Sequence, residues 1–220
     1  MTVVVLLGAP GAGKGTQAGA LARQLGIPVL ASGDVLRAAV AADSPLGQVA
    51  ASYMGRGQLV PDDTIVEVFL QRLSRPDAAA GAILDGFLRT RPQAEALDSA
   101  LAPRGVRVDL ALYIQVPVED LVRRMASRWI CASSGHVFNL DSRPPRVPGM
   151  CDIDGSPLIQ RADDREETVR ARMAIQIPPL EEVVVYYEAS GILARVDGRG
   201  SIDAVSAALT AQVASLARTA

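Results

Sequence analysis

Residues 8–16 read Gly-Ala-Pro-Gly-Ala-Gly-Lys-Gly-Thr, in which Gly8, Gly13, Lys14 and Thr16 satisfy the pattern GxxxxGK[ST]. Each residue type there suits phosphate chemistry. Glycines admit positive φ and let backbone N–H groups approach phosphate oxygens closely, and a helix opening after the loop adds a dipole that favours an anion. Lys14 would set a positive charge on the β- and γ-phosphates of a nucleotide, and the Thr16 hydroxyl would bind magnesium. Phosphate binding does not by itself define a reaction, because switch GTPases and motors share such a loop.

The loop needs a strand before it and a helix after it. Thr2 to Leu7 is β-branched and apolar without alternation, the pattern of a strand covered on both faces of a parallel sheet. Ile27–Ala31, Ala82–Asp85, Asp109–Val116 and Gly191–Val196 are similar runs. Between and after them lie segments of helical length and composition: Lys14–Leu25, Gly33–Ala42, Pro61–Leu73, Arg91–Ala102, Val118–Arg128, Glu166–Ala189 and Ile202–Ala217. The alternation predicts an α/β fold, a doubly wound five-stranded parallel sheet with ligands at the carboxyl ends of its strands. Asp85, at the end of its strand, belongs to that edge. Pro178–Pro179 predicts a break in the long penultimate helix. Arg124 and Arg128, four apart, are expected on one face of one helix. From Cys131 to Gln160 the chain is rich in Gly, Pro, Ser and Asp and lacks helical periodicity. An insertion of that length reads as a functional lid.

Composition narrows the function classes. With 49% hydrophobic residues but only 4% aromatics, the core of this 220-residue chain must be aliphatic. Lys plus Arg number 22 against 24 for Asp plus Glu, so no general basic field exists for nucleic acid or an anionic membrane. Any polyanion site must be local. Two cysteines, Cys131 and Cys151, are too few for a disulfide framework, which makes the cytoplasm the default location. The apolar run Val3–Leu7 is too short to span a membrane, has no basic leader and is followed by glycine rather than a cleavage site.

Further motifs follow the phosphate loop in a fixed order: SGD at 32–34 followed by Arg37, GQLVPD at 57–62, DGFLRT at 85–90 with Gln93, and RADDREETVRARM at 161–173. With GAPGAGKGTQ at 8–17, they resemble adenylate kinases of the long-lid bacterial type, members of the nucleoside monophosphate kinases, over essentially the whole chain. The resemblance implies reversible, magnesium-dependent transfer of the γ-phosphoryl group of ATP to AMP, giving two ADP. It implies one P-loop kinase domain over residues 1–220, with a core of 1–31, 61–128 and 162–220, an AMP-binding flap at 32–60 and a lid at 129–161. A monomer acting on ATP, AMP and ADP is expected, with neither nucleic acid nor membrane as partner.

Site residues carry over position by position. Gly11, Ala12, Gly13, Lys14, Gly15, Thr16, Arg128, Val137, Phe138 and Gly200 match ATP-binding positions of the family. Ser32, Arg37, Gln58, Leu59, Val60, Gly86, Phe87, Leu88, Arg89 and Gln93, with Arg161 and Arg172, match AMP-binding ones. Lys14, Arg89, Arg124, Arg128, Arg161 and Arg172 would clamp the transferring phosphoryl group. Phosphoryl transfer asks the protein mainly for alignment and charge neutralisation, and arginine's planar fork binds phosphate oxygens bidentately. Asp85 matches the position that holds magnesium through water, an ion suited to carboxylate oxygens. Gln93 offers a donor and an acceptor to an adenine edge.

Two places in the chain depart from the family pattern or leave it open. Leu88 stands where DGFPRT has proline, so the loop aiming Arg89 loses a φ constraint. In the lid, relatives use four zinc ligands or a hydrogen-bonded polar quartet, and the matching positions hold Cys131, Ser134, Cys151 and Asp154. With a hydroxyl in place of one thiolate, a metal-free cluster is expected over structural zinc. His136 is expected to be solvated, and Trp129 to pack at the lid hinge. Two alternatives compete with an adenylate kinase: a kinase using UMP or CMP as acceptor or GTP as donor, and a P-loop regulator without kinase activity. The second would show a guanine-reading Asn-Lys-x-Asp segment, which is not found, and would leave the arginines unexplained.

Overall fold

β1 (Thr2–Leu7) buries Val3, Val4, Val5 and Leu6 completely, as a strand covered on both faces must. In this computed structural model, which describes residues 1–54, 60–161 and 164–216, it is the middle strand of a five-stranded parallel sheet. Its order is β2 (Val29–Ala31), β3 (Gly81–Asp85), β1, β4 (Leu110–Gln115) and β8 (Leu193–Asp197). The helices are α1 (Lys14–Leu25), α2 (Ser32–Ala41), α3 (Pro45–Met54), α4 (Asp62–Leu73), α5 (Arg91–Leu101), α6 (Val118–Ala126), α7 (Glu166–Ala189) and α8 (Ile202–Leu216). The α/β class and the five parallel strands are those the sequence predicts. Register aligns the functional edge: Asp85 pairs with Leu6 on one side and Ala31 on the other. The chain therefore leaves β1, β2 and β3 side by side, into the phosphate loop, Ser32 and the 86–90 loop.

The chain divides into two compact units. One comprises Met1–Gly8, Gly13–Gln115 and Pro179–Ala220 and holds the parallel sheet; the other comprises Ala9–Ala12 and Val116–Pro178. The second unit contains an antiparallel sheet of β5 (Arg128–Cys131) flanked by β6 (Val137–Asn139) and β7 (Leu158–Ile159). Its core is formed by Cys131, Phe138, Cys151 and Leu158, with Trp129 packed against it.

Several local expectations need correction. α7 runs through Pro178–Pro179 without a break. The carbonyls of Ala174 and Ile175, which lose their N–H partners to the prolines, belong to exposed residues, so water can bond them instead. α6 ends at Ala126 and Arg128 opens β5, where it pairs with Asn139. Arg124 and Arg128 therefore do not share a helical face. α3 has no counterpart in the sequence reading. Ser44 accepts from the Gly47 N–H (3.0 Å) at its start, and a Cβ at Gly47 would lie 2.0 Å from the Ala39 oxygen, so glycine lets α3 press onto α2.

Candidate active site

The phosphate loop joins β1 to α1, and Gly13 caps that helix at φ 95°, a conformation costly for any other residue. At Gly11, φ 83°, an added Cβ would meet Met125 Cγ at 2.9 Å. Lys14 turns back into the loop, its Nζ donating to the Gly8 carbonyl at 2.6 Å. Burial holds its pKa below the usual 10.5; the nearby Asp85 carboxylate opposes this shift and the Arg89 guanidinium adds to it. A desolvated ammonium is poorly matched to its surroundings until an anion arrives, which suits a phosphate ligand. Gly15 and Thr16 are exposed at the mouth of the loop.

Asp85 closes β3, and its Oδ2 would lie 3.9 Å from a Cβ on Gly15, beside the loop. Burial raises its pKa above 3.8, and Lys14 pulls it down again. A carboxylate oxygen is the kind of hard donor that magnesium takes.

Next along the chain, Phe87 is buried and stacks on Phe69, with ring centroids 4.0 Å apart and planes 8° from parallel. Leu88 follows at φ 60°, 2% exposed. Proline's ring fixes φ near −65°, so it could not take this conformation. Leucine in the left-handed region costs about 1–2 kcal/mol, which burial of its side chain offsets. Arg89 is exposed, with Nε donating to the Gly86 carbonyl at 3.2 Å and its backbone N–H to Gln93 Oε1 at 2.7 Å. Ser32 is buried, with Oγ within 3.2 Å of a Cβ position on Gly86. Val60 is buried, and Arg37 is exposed and pairs with Asp34 one turn back on α2. Gln93 is 6% exposed and uses both ends of its amide within the protein, Nε2 bonding Asp62 Oδ1 at 2.7 Å. Gln58 and Leu59 lie outside the described residues. Gly200 is exposed just before α8.

In the second unit, Arg128 makes a bidentate pair with Asp164, whose side chain is wholly buried; the Nε–Oδ2 distance is 2.9 Å. Arg124 and Arg172 are half-buried on α6 and α7, and Arg161 is exposed. On β6, Val137 is 54% exposed whereas Phe138 lies in the core.

The lid cluster differs from expectation in one residue. Ser134 Oγ donates to Asp154 Oδ2 at 2.5 Å, and Cys131 Sγ lies 3.2 Å from the same oxygen. His136 is not solvated away from this group: its Nδ1 is 3.4 Å from Cys151 Sγ and 3.6 Å from Asp154 Oδ2. Ligand atoms of Cys131, His136, Cys151 and Asp154 all fall within 4.8 Å of one another. The hydrogen bond from Ser134, followed by those from Ser156 and Cys131, holds the Asp154 carboxyl well below the usual carboxylate range. Two matching turns build the cluster. Gly135 and Gly155, each four residues after a cysteine, donate back to the Cys131 and Cys151 carbonyls at 3.0 and 2.9 Å.

The sequence model of the adenylate kinase family matches residues 6–192. This chain belongs to the adenylate kinase family. An adenylate kinase of Thermodesulfovibrio yellowstonii is 48% identical over 202 residues, covering 92% of this chain and 94% of the relative. Those of Ruminiclostridium cellulolyticum and Streptomyces avermitilis are 45% and 44% identical, each across 92% of this chain and 95% and 93% of their own. For this adenylate kinase, sequence reasoning overlooked three residues. Asp164 sits in the quoted RADDREE run but reads as one acid among many, and His136 reads as a lone surface histidine. Asp62 ends GQLVPD, where an acid in the first turn of a helix has a local explanation.

Proposed function

We propose that this adenylate kinase transfers the γ-phosphoryl group of ATP to AMP, giving two ADP, with the residues above as its machinery. The observation that supports the reading most directly is the alignment of three strand ends, which sets the Lys14 loop, Asp85 and the Arg89 loop on one sheet edge. A donor-phosphate loop and an acceptor-phosphate arginine on one edge suit transfer between two nucleotides. A regulator that binds one nucleotide has no use for the second.

On this reading, loop amides, Lys14 and Thr16 hold the β- and γ-phosphates of ATP. Arg89, with Arg37, holds the AMP phosphate and orients an oxygen for in-line attack. Arg124, Arg128, Arg161 and Arg172 neutralise charge on the transferring group, and Arg128 would exchange or share its Asp164 partner to do so. Thr16 and, through water, Asp85 would hold magnesium, which when bound neutralises phosphate charge. Exclusion of water by the lid would prevent hydrolysis. A coupled assay for ADP from ATP with AMP, GMP, CMP or UMP tests this: AMP should be used fastest. Faster use of UMP or CMP sinks the AMP assignment.

For the lid, the nearness of His136 to Cys131, Cys151 and Asp154 supports a reading other than the metal-free cluster, one with four strong ligands. Zinc with sulfur, nitrogen and oxygen ligands at about 2.0–2.3 Å sets those atoms roughly 3.3–3.8 Å apart. The cysteine–histidine and histidine–aspartate separations of 3.4 and 3.6 Å fall in that range, the cysteine–aspartate contact of 3.2 Å is slightly shorter, and the four ligand atoms lie within 4.8 Å of one another, so a bound ion would draw some of them closer. Cys131, His136, Cys151 and Asp154 would therefore hold a structural zinc, with Ser134 outside the ligand set.

A further inference from the structure

Two adjacent acids open α4 and behave differently. Asp63 Oδ1 accepts from the next residue's N–H, that of Thr64, at 2.9 Å, a local bond. Asp62 instead reaches residues 28 and 31 positions away: Oδ2 accepts from Thr90 Oγ1 at 3.2 Å and Oδ1 from Gln93 Nε2 at 2.7 Å. Its carboxylate can only accept, and the Arg89 backbone N–H can only donate. The Gln93 amide between them is thus forced into one orientation, with its oxygen at Arg89 (2.7 Å) and its nitrogen at Asp62. Flipped, it would set oxygen against oxygen and donor against donor. The Thr90 hydroxyl is ordered in the same way, since it donates to Asp62 and accepts the Gln93 N–H at 3.4 Å.

We infer that Asp62 is a positioning residue for the acceptor arginine: through Gln93 and Thr90 it fixes the backbone that carries Arg89. The inference rests on the reading of Arg89 as an AMP-phosphate ligand. Stability of the helices does not need this arrangement. α5 keeps its Thr90 cap, and α4 keeps Asp63 in its first turn. The loop is where it acts, because Leu88 at φ 60° beside Arg89 takes a backbone conformation that its residue type does not itself favour, leaving contacts to hold it. On the far side of Arg89, the bonds of Gln93 and Thr90 supply such contacts. Asp62 also ties the first turn of α4, two residues after Val60 of the AMP-site set, to the arginine loop.

The test compares KM and kcat for AMP and for ATP in Asp62→Ala, Asp62→Asn, Gln93→Leu, Arg89→Ala and the Asp62→Ala/Gln93→Leu double variant, with melting temperatures. Asp62→Ala should raise KM for AMP about tenfold, the size expected from losing bonds to a charged group, and leave KM for ATP within about twofold. Asp62→Asn, which keeps one acceptor oxygen, should recover part of the loss, and the double variant should be no worse than the poorer single. Unchanged KM for AMP in Asp62→Ala, equal increases for both nucleotides, or a lower melting temperature with normal kinetics would each overturn the inference. If Arg89→Ala leaves AMP usage intact, the acceptor reading fails. If Arg89→Ala impairs AMP usage and Asp62→Ala does not, only the role of Asp62 fails.

Discussion

Around Asp85 and Arg89 the candidate site residues stand on a parallel sheet whose Ile83 and Leu84 are wholly buried, with Phe69 and Phe87 stacked beside it. The second unit's three-stranded sheet covers a core of four buried residues among those described, two of them cysteines. The first region can hold side chains by packing, because it removes many large aliphatic groups from water at about 25 cal/mol per Å². The second cannot bury enough apolar surface to do so, as small units generally cannot. It is closed instead by a polar cluster of Cys131, Ser134, His136, Cys151 and Asp154. In the parallel sheet, then, each candidate site residue is set by where it stands on a packed frame. In the small antiparallel sheet, the polar groups form the frame.

This contrast predicts opposite phenotypes for single substitutions. Lys14→Ala should reduce kcat by roughly 10²–10³-fold, the range for losing one preorganised donor to a developing charge, with an unchanged melting temperature and far-UV dichroism. A large fall in melting temperature would show that Lys14 belongs to the frame. His136→Ala should do the reverse. Metal analysis should find about one zinc per wild-type chain and much less in the variant, with faster proteolysis within the lid and Lys14 chemistry retained in single-turnover measurements. Wild-type protein purified without metal would overturn the zinc reading. The smallest effect concerns pH. Because burial lowers the Lys14 pKa, its charge is lost at lower pH than that of a free lysine, so kcat/KM for ATP should fall along an alkaline limb below 10.5. In Lys14→Arg the residual activity should lack that limb, since guanidinium keeps its proton.

The fold was legible because its signals are local. β1 is a continuous β-branched run, α1 begins at the loop glycines, and alternation of strands with helices restricts the sheet to the parallel class. α3 escaped because its start depends on the Ser44 cap and its seat on Gly47 against Ala39, both contacts rather than periodicities. The end of α6 escaped because Arg128 is drawn into pairing with Asn139, which lies beyond a turn.

From the sequence alone came the phosphate loop, whose spacing survives without coordinates, and, through resemblance to adenylate kinases, the arginine set and the candidate reaction. Tertiary structure decided the partners. It gave Gln93 to Arg89 and Asp62, Arg128 to Asp164, and His136 to the lid cluster, and it set Leu88 at a positive φ. Acceptors and donors must lie within about 3 Å of each other to bond. Residues 28 to 36 positions apart, such as Asp62 with Thr90 and Arg128 with Asp164, meet only once the chain has folded.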